Sequence, residues 1–188
     1  MARPKAFNKD EALDAAIGVF REHGFAGTSA GMLTEAMKIG RQSLYDTFHD
    51  KWDLYRAAVQ RYAETEVQAH LATLRSQARA RDGIQRLIAR VVADAHTPCL
   101  GVGSICEFGH GRADLTQIHH ASARVLEDAL TARIQEAQAD GDIAPDLDPK
   151  HVAGFVSANI AGIRIAARSG ASAGDLQALG NLALRVLA

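Results

Sequence analysis

A close-set group of hydrogen-bonding side chains lies between residues 41 and 51. It consists of Arg41, Gln42, Ser43, Tyr45, His49 and Lys51. An arginine or a glutamine can make two hydrogen bonds to a base edge, arginine favouring guanine and glutamine favouring adenine. Hydroxyl, imidazole and ammonium groups suit phosphate oxygens, which position a protein on DNA without reading its sequence. The group therefore predicts a DNA contact, with Arg41 and Gln42 at base edges and Ser43 at either partner.

The residues around this group predict two short helices joined by a tight turn. Thr28 or Ser29 can cap the first short helix, and Gly40 precedes the second. Leu44 and Phe48 have the spacing of a core-facing stripe, so the polar group occupies the outer face. A helix-turn-helix has this layout, and its second helix offers N-terminal side chains to the DNA major groove.

Several of these residues also have an ordinary structural interpretation. Arg41 can be a solvated arginine, Tyr45 can belong to the core, and Thr28 can act as a helix cap alone. For contacts to phosphate we expect Thr28, Tyr45, His49 and Lys51. Ahead of the first helix, Arg3 and Lys5 form a basic arm that can follow the DNA backbone or enter the minor groove.

Residues 8 to 60 carry apolar, small and polar positions in a fixed order. The pattern consists of Phe20, Gly24, Phe25, Thr28, Ser29, Leu33, Ala36, Ile39, Leu44, Tyr45, Phe48 and Lys51. It resembles the N-terminal domain of the TetR family of transcriptional regulators. The chain departs from the family at Lys38, where the turn usually has glycine, and at Gly40, where serine or threonine is usual. Lys38 is therefore expected to adopt a left-handed backbone, which is uncommon for a residue with a side chain.

The resemblance implies an all-α fold with two domains. An N-terminal three-helix helix-turn-helix DNA-binding domain with the basic arm is expected over residues 1–50. A C-terminal helical ligand-binding and dimerisation domain is expected over residues 51–188, and the helix from Lys51 connects the two. The resemblance also implies a homodimeric repressor that binds a palindromic operator in double-stranded DNA. In such a repressor, binding of a small-molecule effector in the C-terminal domain releases the DNA.

The composition is that of a globular protein and does not reveal a nucleic-acid partner. Apolar residues make up 47% of the 188 residues and the formal net charge is −1, so any DNA affinity depends on where the basic groups lie. Two cysteines are too few for a disulfide framework and suit a reducing cytoplasm. The sequence shows no signal-peptide pattern and no run of about 20 apolar residues, so we expect a cytoplasmic protein without a membrane partner.

Apolar spacing and capping residues predict helices along the rest of the chain. The first opens at Asn8 and stops at Gly24, and the fourth runs from Asp50 to about residue 80. Further helices are predicted over residues 82–97, 114–139 and 148–169, with a last helix that opens at Asp175. Pro98 is expected to break the fifth helix, and the glycine-rich residues 99–111 are expected to form a loop with one short helix.

The pocket for an effector is expected among the middle helices. The candidate lining residues are Tyr62, His96, Cys106, Phe108, His110, His119, Phe155 and Asn159. Asn159 is a polar group on an apolar stripe with Phe155 and Ile163, so its amide needs a partner. That partner is either a ligand or an internal hydrogen-bond acceptor. We find no cofactor motif, and the effector is an unidentified small molecule.

Cysteines and histidines near position 100 leave a second kind of sensor open. Thiolate and imidazole groups bind soft metals, but their spacing here matches no compact zinc pattern. A thiol sensor using Cys99 or Cys106 is an alternative, although Cys106 can equally be a small buried hydrophobe. An enzyme built on Cys106, Glu107 and His110 is disfavoured because no catalytic motif accompanies them. A helical adaptor without DNA binding is disfavoured because Arg41 and its neighbours are present.

Overall fold

The computed structural model describes residues 7–185, which contain helices and no strand. The helices are α1 (Lys9–His23), α2 (Ala30–Met37), α3 (Arg41–Phe48), α4 (Lys51–Arg75), α5 (Ala80–Ala93), α6 (Leu100–Phe108), α7 (Ala113–Ala139), α8 (Pro149–Arg168) and α9 (Ala173–Arg185). The all-α fold class is therefore confirmed. The predicted basic arm with Arg3 and Lys5 lies outside the described residues. Among the helices of residues 7–185, none has the length and apolarity to cross a bilayer.

Contacts between residues group the chain into two compact units. The first unit comprises Met1–Ala63 and Cys99–His119, and the second comprises Glu64–Pro98 and His120–Ala188. Helix α6 belongs wholly to the first unit, together with the helix-turn-helix. The domain division at residue 50 stays a prediction, because a compact contact group is not by itself a domain that folds alone.

Local capping residues set the ends of several helices, as the sequence predicts. The Asn8 side chain accepts hydrogen bonds from two backbone N–H groups at the start of α1. Gly40 is the N-cap of α3, and Asp148 caps α8 with Pro149 in its first turn. Gly24 ends α1 with a φ of 66°, a backbone region that favours glycine. These predictions succeeded because capping depends on neighbours in the sequence.

The bounds predicted for the fourth and fifth helices are wrong. Helix α4 ends at Arg75 rather than near residue 80. At this end the backbone N–H and the hydroxyl of Ser76 both donate to the Thr73 carbonyl, at 3.1 and 2.7 Å, which competes with helix continuation. Helix α5 spans Ala80–Ala93 and therefore ends before Pro98, which does not break it.

The glycine-rich residues 99–111 contain a longer regular helix than predicted. Helix α6 covers Leu100–Phe108, and its N-cap is Cys99, whose sulfur accepts a hydrogen bond from the Val102 N–H at 3.5 Å. Gly109 ends it with a φ of 50°. Glycine lowers helix propensity by about 1 kcal/mol per residue, but the cap and the buried Leu100 offset that cost here.

The first unit has its own apolar core. Phe20 of α1, Leu33 of α2 and Leu44 of α3 are almost fully buried in it, and Tyr55 of α4 packs edge-on against Phe20 with ring centroids 4.9 Å apart. Leu44 and the buried Phe48 confirm the predicted inner face of the recognition helix. Because these residues share one core, α3 is packed into the helix-turn-helix by its apolar face and its polar face has a defined orientation.

The second unit has a separate apolar core formed by one face of each of its helices. Its most buried members are Leu74, Ala80, Ile84, Leu87, Ile88, Val91, Leu130, Ile134, Ala137, Ala153, Val156 and Leu176. Helix α8 faces this core with residues at helical spacing, from Val152 to Ala167. The opposite face of α8 is exposed.

Candidate nucleic-acid interface

Helix α3 begins with its DNA-facing candidates exposed. Arg41 and Gln42 are both exposed, while Ser43 is partly buried. The N-cap, Gly40, has φ −70° and ψ 155° and makes no side-chain hydrogen bond to the helix. The first backbone N–H groups of α3 therefore lack a side-chain cap, and such groups attract phosphate oxygens.

Neighbouring side chains on α3 hold the two long donors in place. The Arg41 guanidinium carbon lies 5.9 Å from the centroid of the Tyr45 ring. The Gln42 amide donates to the Asp46 carboxylate at 2.9 Å. Tyr45 is partly buried and packs against the core of the first unit. To contact a base, the Gln42 amide must give up its hydrogen bond to Asp46. Arg41 pairs with no carboxylate within residues 7–185, so it needs no such exchange.

The turn between α2 and α3 contains a left-handed residue, as expected from the departure at Lys38. Lys38 has φ 53° and ψ 39°. The N–H groups of Lys38 and Ile39 donate to the carbonyls of Glu35 and Thr34, each at 3.2 Å, which closes the end of α2. These bonds compensate for the backbone strain that glycine would avoid, about 1 kcal/mol.

His49, at the end of α3, is a second non-glycine residue with a positive φ, which the sequence did not predict. Its φ is 59° and its ψ is −61°. The Asp50 N–H donates to the Phe48 carbonyl at 2.6 Å across it, which makes a tight three-residue turn. Strained non-glycine residues persist only where the surrounding structure holds them, and they concentrate at functional sites. His49 is exposed, so its imidazole remains a candidate phosphate contact.

Thr28 and Lys51 both engage the turn between α1 and α2. Thr28 is 2% exposed and its hydroxyl donates to the Gly24 carbonyl, while Ser29 and not Thr28 caps α2. The Lys51 ammonium donates to the carbonyls of Phe25 and Thr28, both at 2.7 Å. Two backbone carbonyls therefore occupy two of its three donors. The phosphate contacts of Thr28 and Lys51 stay predictions.

The effector-lining candidates are divided between the two units. In the first unit, Tyr62 is buried with the Arg21 guanidinium 5.3 Å from its ring, and a ring nitrogen of His119 lies 3.0 Å from the Ser104 hydroxyl. The Phe108 ring packs among aromatic residues. Cys106 and His110 are exposed, so Cys106 is not a buried hydrophobe.

In the second unit, three candidates have different environments. His96 is exposed, and Phe155 is 39% exposed on the outer face of α8. The Asn159 amide donates to the Phe155 carbonyl at 2.8 Å, so it has an internal partner one turn away. Among residues 7–185, no three His, Cys, Asp or Glu side chains are grouped so that they could hold a metal ion.

The second unit contains a charged cluster that was not predicted from the sequence. Glu66 Oε1 accepts hydrogen bonds from Arg90 at 3.0 Å and from Arg164 at 3.1 Å, and His70 Nε2 lies 3.5 Å away. Arg90 also donates to His70 Nδ1 at 2.8 Å. A sequence signal existed, because Arg164 interrupts the apolar stripe of α8 and is only 6% exposed.

Burial and neighbouring charge shift both titrating members of this cluster. Burial, opposed by the Glu66 carboxylate and reinforced by Arg90 and Arg164, lowers the pKa of His70 to about 4. Burial tends to raise the pKa of Glu66, but its hydrogen bond to Arg90 and the charges of His70, Arg90 and Arg164 lower it overall. At neutral pH the cluster therefore holds an ionised Glu66 and a neutral His70.

A helix-turn-helix with an outward polar face and a further helical unit defines a DNA-binding transcriptional regulator. The model of the tetR family of bacterial regulatory proteins matches residues 12–58. The HTH-type transcriptional repressor ComR of Escherichia coli K12 is 31% identical over 190 residues, with 98% of this chain and 90% of ComR covered. The chain belongs to the TetR family of transcriptional regulators.

Further similarities extend over the whole chain. The HTH-type transcriptional regulator YezE of Bacillus subtilis 168 is 28% identical over 193 residues, covering 100% of each chain. A cysteine mutant of the TetR-family regulator CifR, solved with a 26-base-pair operator, matches with a TM-score of 0.85 and 29% identity over 100% of each chain. The reduced form of Escherichia coli NemR shares the fold, with a TM-score of 0.85 at 18% identity over 95% of this chain and 96% of that one.

Proposed function

We propose that the protein is a homodimeric, ligand-responsive repressor that inserts α3 of each protomer into the major groove of a palindromic operator. The observation that carries this proposal is the exposed first turn of α3, where Arg41 and Gln42 stand beside backbone N–H groups without a side-chain cap. Similarity to ComR, which is a repressor, and to CifR, which binds operator DNA, supports it. Because its proposed partner is DNA, the protein would act in the cytoplasm. The proposed function includes no catalytic step.

Exposed apolar residues on the second unit support dimerisation. Ile165 on α8 is 47% exposed, and Leu182 on α9 is 57% exposed. Ala158 and Gly162 are also exposed on α8, at helical spacing from Phe155 and Ile165. Small and apolar residues on two neighbouring helices allow a symmetric copy to pack closely against them as a four-helix interface. A dimer doubles the DNA contacts across two half-sites.

The effector acts by binding one arrangement of the dimer better than another. It shifts the equilibrium only by the difference between its affinities for the two arrangements. The arrangement it favours separates the two α3 helices by a distance that no longer matches successive major grooves. The similarly folded FadR of Bacillus subtilis was solved with stearoyl-CoA, which shows that this fold can hold a small molecule.

Selection from random duplex DNA tests the proposal. We expect wild-type protein to enrich a two-fold symmetric sequence with half-sites about one helical turn apart. Arg41→Ala should weaken binding to the selected operator by about 1–3 kcal/mol and relax the preference at one base pair in each half-site. Enrichment of no symmetric sequence, together with a monomer in sedimentation, would contradict the proposal and favour the adaptor.

A matched variant separates base reading from simple loss of charge. Arg56→Ala removes an exposed arginine of α4 in the same unit, one that already pairs with Asp53 at 3.3 Å. It should leave the base preference unchanged. If Arg41→Ala and Arg56→Ala had equal effects on affinity and none on preference, Arg41 would be an ordinary solvated arginine.

A thiol-responsive regulator is the second candidate function, and the exposure of Cys106 on α6 favours it. Alkylation of Cys106 by iodoacetamide forms a sulfur–carbon bond and releases iodide and a proton. On this candidate, alkylated wild-type protein loses operator affinity, alkylated Cys106→Ser keeps it, and Cys99→Ser behaves as wild type. Equal operator affinity before and after alkylation of wild-type protein would rule it out.

A further inference from the structure

The turn between α1 and α2 comprises residues 24–28. Two charged side chains from elsewhere in the first unit form hydrogen bonds with its backbone. Glu107 of α6 accepts hydrogen bonds from the Phe25 N–H at 2.9 Å and from the Ala26 N–H at 2.8 Å, one on each carboxylate oxygen. The Lys51 ammonium donates hydrogen bonds to the Phe25 and Thr28 carbonyls. An anion therefore holds the donors of the turn and a cation holds its acceptors.

The turn is shaped to admit the Glu107 carboxylate. Gly24 has a φ of 66°, and a Cβ added there would lie 2.9 Å from Glu107 Oε2. A Cβ on Gly27 would lie 2.3 Å from the His23 carbonyl oxygen, so the turn needs glycine there as well. Both glycines permit the backbone path that points two successive N–H groups at one carboxylate, an arrangement that binds anions well.

The residue after Glu107 anchors α6 to the same turn through aromatic packing. The Phe108 ring centroid lies 5.7 Å from that of Phe25 and 5.3 Å from that of Trp52. The Trp52 indole N–H donates to the Asp114 carboxylate at 2.9 Å, and the Arg112 guanidinium lies 3.4 Å from its ring centroid. The end of α6 is therefore fixed to the start of the helix-turn-helix by one polar contact and one apolar contact.

We propose that Glu107 is the positioning residue through which α6 sets the orientation of the helix-turn-helix, so that release of its carboxylate from the Phe25 and Ala26 N–H groups lowers operator affinity. The inference rests on the proposed function in that operator affinity is its readout. Both hydrogen bonds are exposed, so water replaces the carboxylate when it leaves, and the contact opens without unfolding the core. A contact that can open and close in this way suits a reversible change in operator affinity.

Glu107→Gln tests this role because glutamine keeps the size of the side chain but has a single acceptor oxygen. Its amide nitrogen cannot accept the second N–H, so one of the two bonds is lost. We expect about tenfold weaker operator binding, faster hydrogen exchange at the Phe25 and Ala26 amides, and a shifted emission maximum of Trp52, the single tryptophan. The thermal midpoint and the salt dependence of DNA binding should stay as in wild type, because Glu107 has no role at the phosphates.

Two further variants separate positioning from charge and from folding. Glu35→Gln removes an equally exposed carboxylate from α2 of the same unit and should leave Trp52 emission and the two amides unchanged. Glu107→Asp restores both acceptors on a shorter side chain and should recover part of the operator affinity. Loss of affinity in Glu107→Gln with a matching fall in the thermal midpoint would assign Glu107 to folding and overturn the proposal.

The outcomes also distinguish this inference from the proposed function. Wild-type protein that selects no operator overturns the proposed function. If wild-type protein selects an operator and Glu107→Gln binds it with the same affinity, the positioning role alone is overturned. Unchanged exchange at the Phe25 and Ala26 amides in Glu107→Gln would likewise overturn it, because the contact itself would then be unsupported.

Discussion

Glu107 in the first unit and Glu66 in the second each use a carboxylate to join elements that are distant in sequence, but in opposite surroundings. Glu107 is exposed and accepts two backbone N–H groups. Glu66 lies deeper and accepts from Arg90 and from the buried Arg164 on a single oxygen. Water can replace the partners of the first carboxylate, whereas loss of the second leaves a guanidinium buried without its counter-charge.

The difference separates a contact that can switch from a contact that must persist. An exposed contact contributes little to the free energy of unfolding, so a small change in its surroundings can open it. A buried charged cluster is costly to assemble and costlier to break, so it fixes the helices that contribute to it. In the second unit, this kind of contact joins the part of α4 after Ala63 to α5 and α8.

The largest effect is expected from Glu66→Gln. This change leaves the buried Arg164 without a carboxylate and leaves Arg90 with only that of Asp94, 3.9 Å from its Nε. We expect the free energy of unfolding to fall by about 3 kcal/mol, the lower end for a buried pair because Glu66 is partly exposed. Urea denaturation followed by circular dichroism measures it.

Two companion variants sharpen this test. Asp128→Asn removes an exposed carboxylate of α7 in the same unit and should change the free energy of unfolding by less than about 0.5 kcal/mol. Glu66→Leu combined with Arg164→Met replaces the buried charges by apolar groups and should recover much of the loss. A loss below about 1 kcal/mol in Glu66→Gln would show that the cluster is solvated and no different from Glu107.

A smaller effect is expected from the protonation of His70. Its pKa falls from 6.5 to about 4 on folding, chiefly because of burial, so the unfolded chain binds the proton first as the pH drops. The contribution to stability is complete above about pH 6.5 and is lost as the pH falls towards 4. We expect the free energy of unfolding to be about 2 kcal/mol lower at pH 5 than at pH 7.5.

His70→Asn separates this contribution from that of the carboxylates. Asparagine keeps an oxygen that can accept from Arg90 but does not titrate. The variant should lose most of the change in unfolding free energy between pH 7.5 and 5. A pH profile identical to that of wild type would mean that His70 is not buried as a neutral group.

The sequence predicted the features of this molecule that depend on neighbouring residues, namely helix caps, core-facing positions and one turn. Asn8 and Asp148 cap helices because their side chains reach N–H groups two or three residues away. Leu44 and Phe48 face the core because of helical spacing. The left-handed backbone of Lys38 was predicted because the turn of the TetR family usually has glycine at that position. Each of these inferences depends on residues within one or two helical turns.

The contacts that distinguish the two units were not predictable in this way. Glu107 meets the Ala26 N–H 81 positions away, and Arg164 meets Glu66 98 positions away. A charged residue on an apolar stripe signals that a partner is needed, but it does not identify the partner. Glu107 carried no signal at all, because an exposed glutamate at the end of a short helix is unremarkable in sequence.

The smallest effect, and the closest test of the comparison, is expected from Lys51→Met. Methionine keeps an apolar side chain near the Phe25 ring, from whose centroid the ammonium lies 4.2 Å, but removes the donors to the Phe25 and Thr28 carbonyls. We expect the free energy of unfolding to fall by about 1–2 kcal/mol. If the remaining N–H contacts a phosphate, as predicted, the slope of log Kd against log salt concentration also falls by about one unit.

A stability loss without a change in slope would make Lys51 the counterpart of Glu66, a charge that holds structure. A changed slope without a stability loss would mean that its carbonyl contacts exchange with water as freely as those of Glu107.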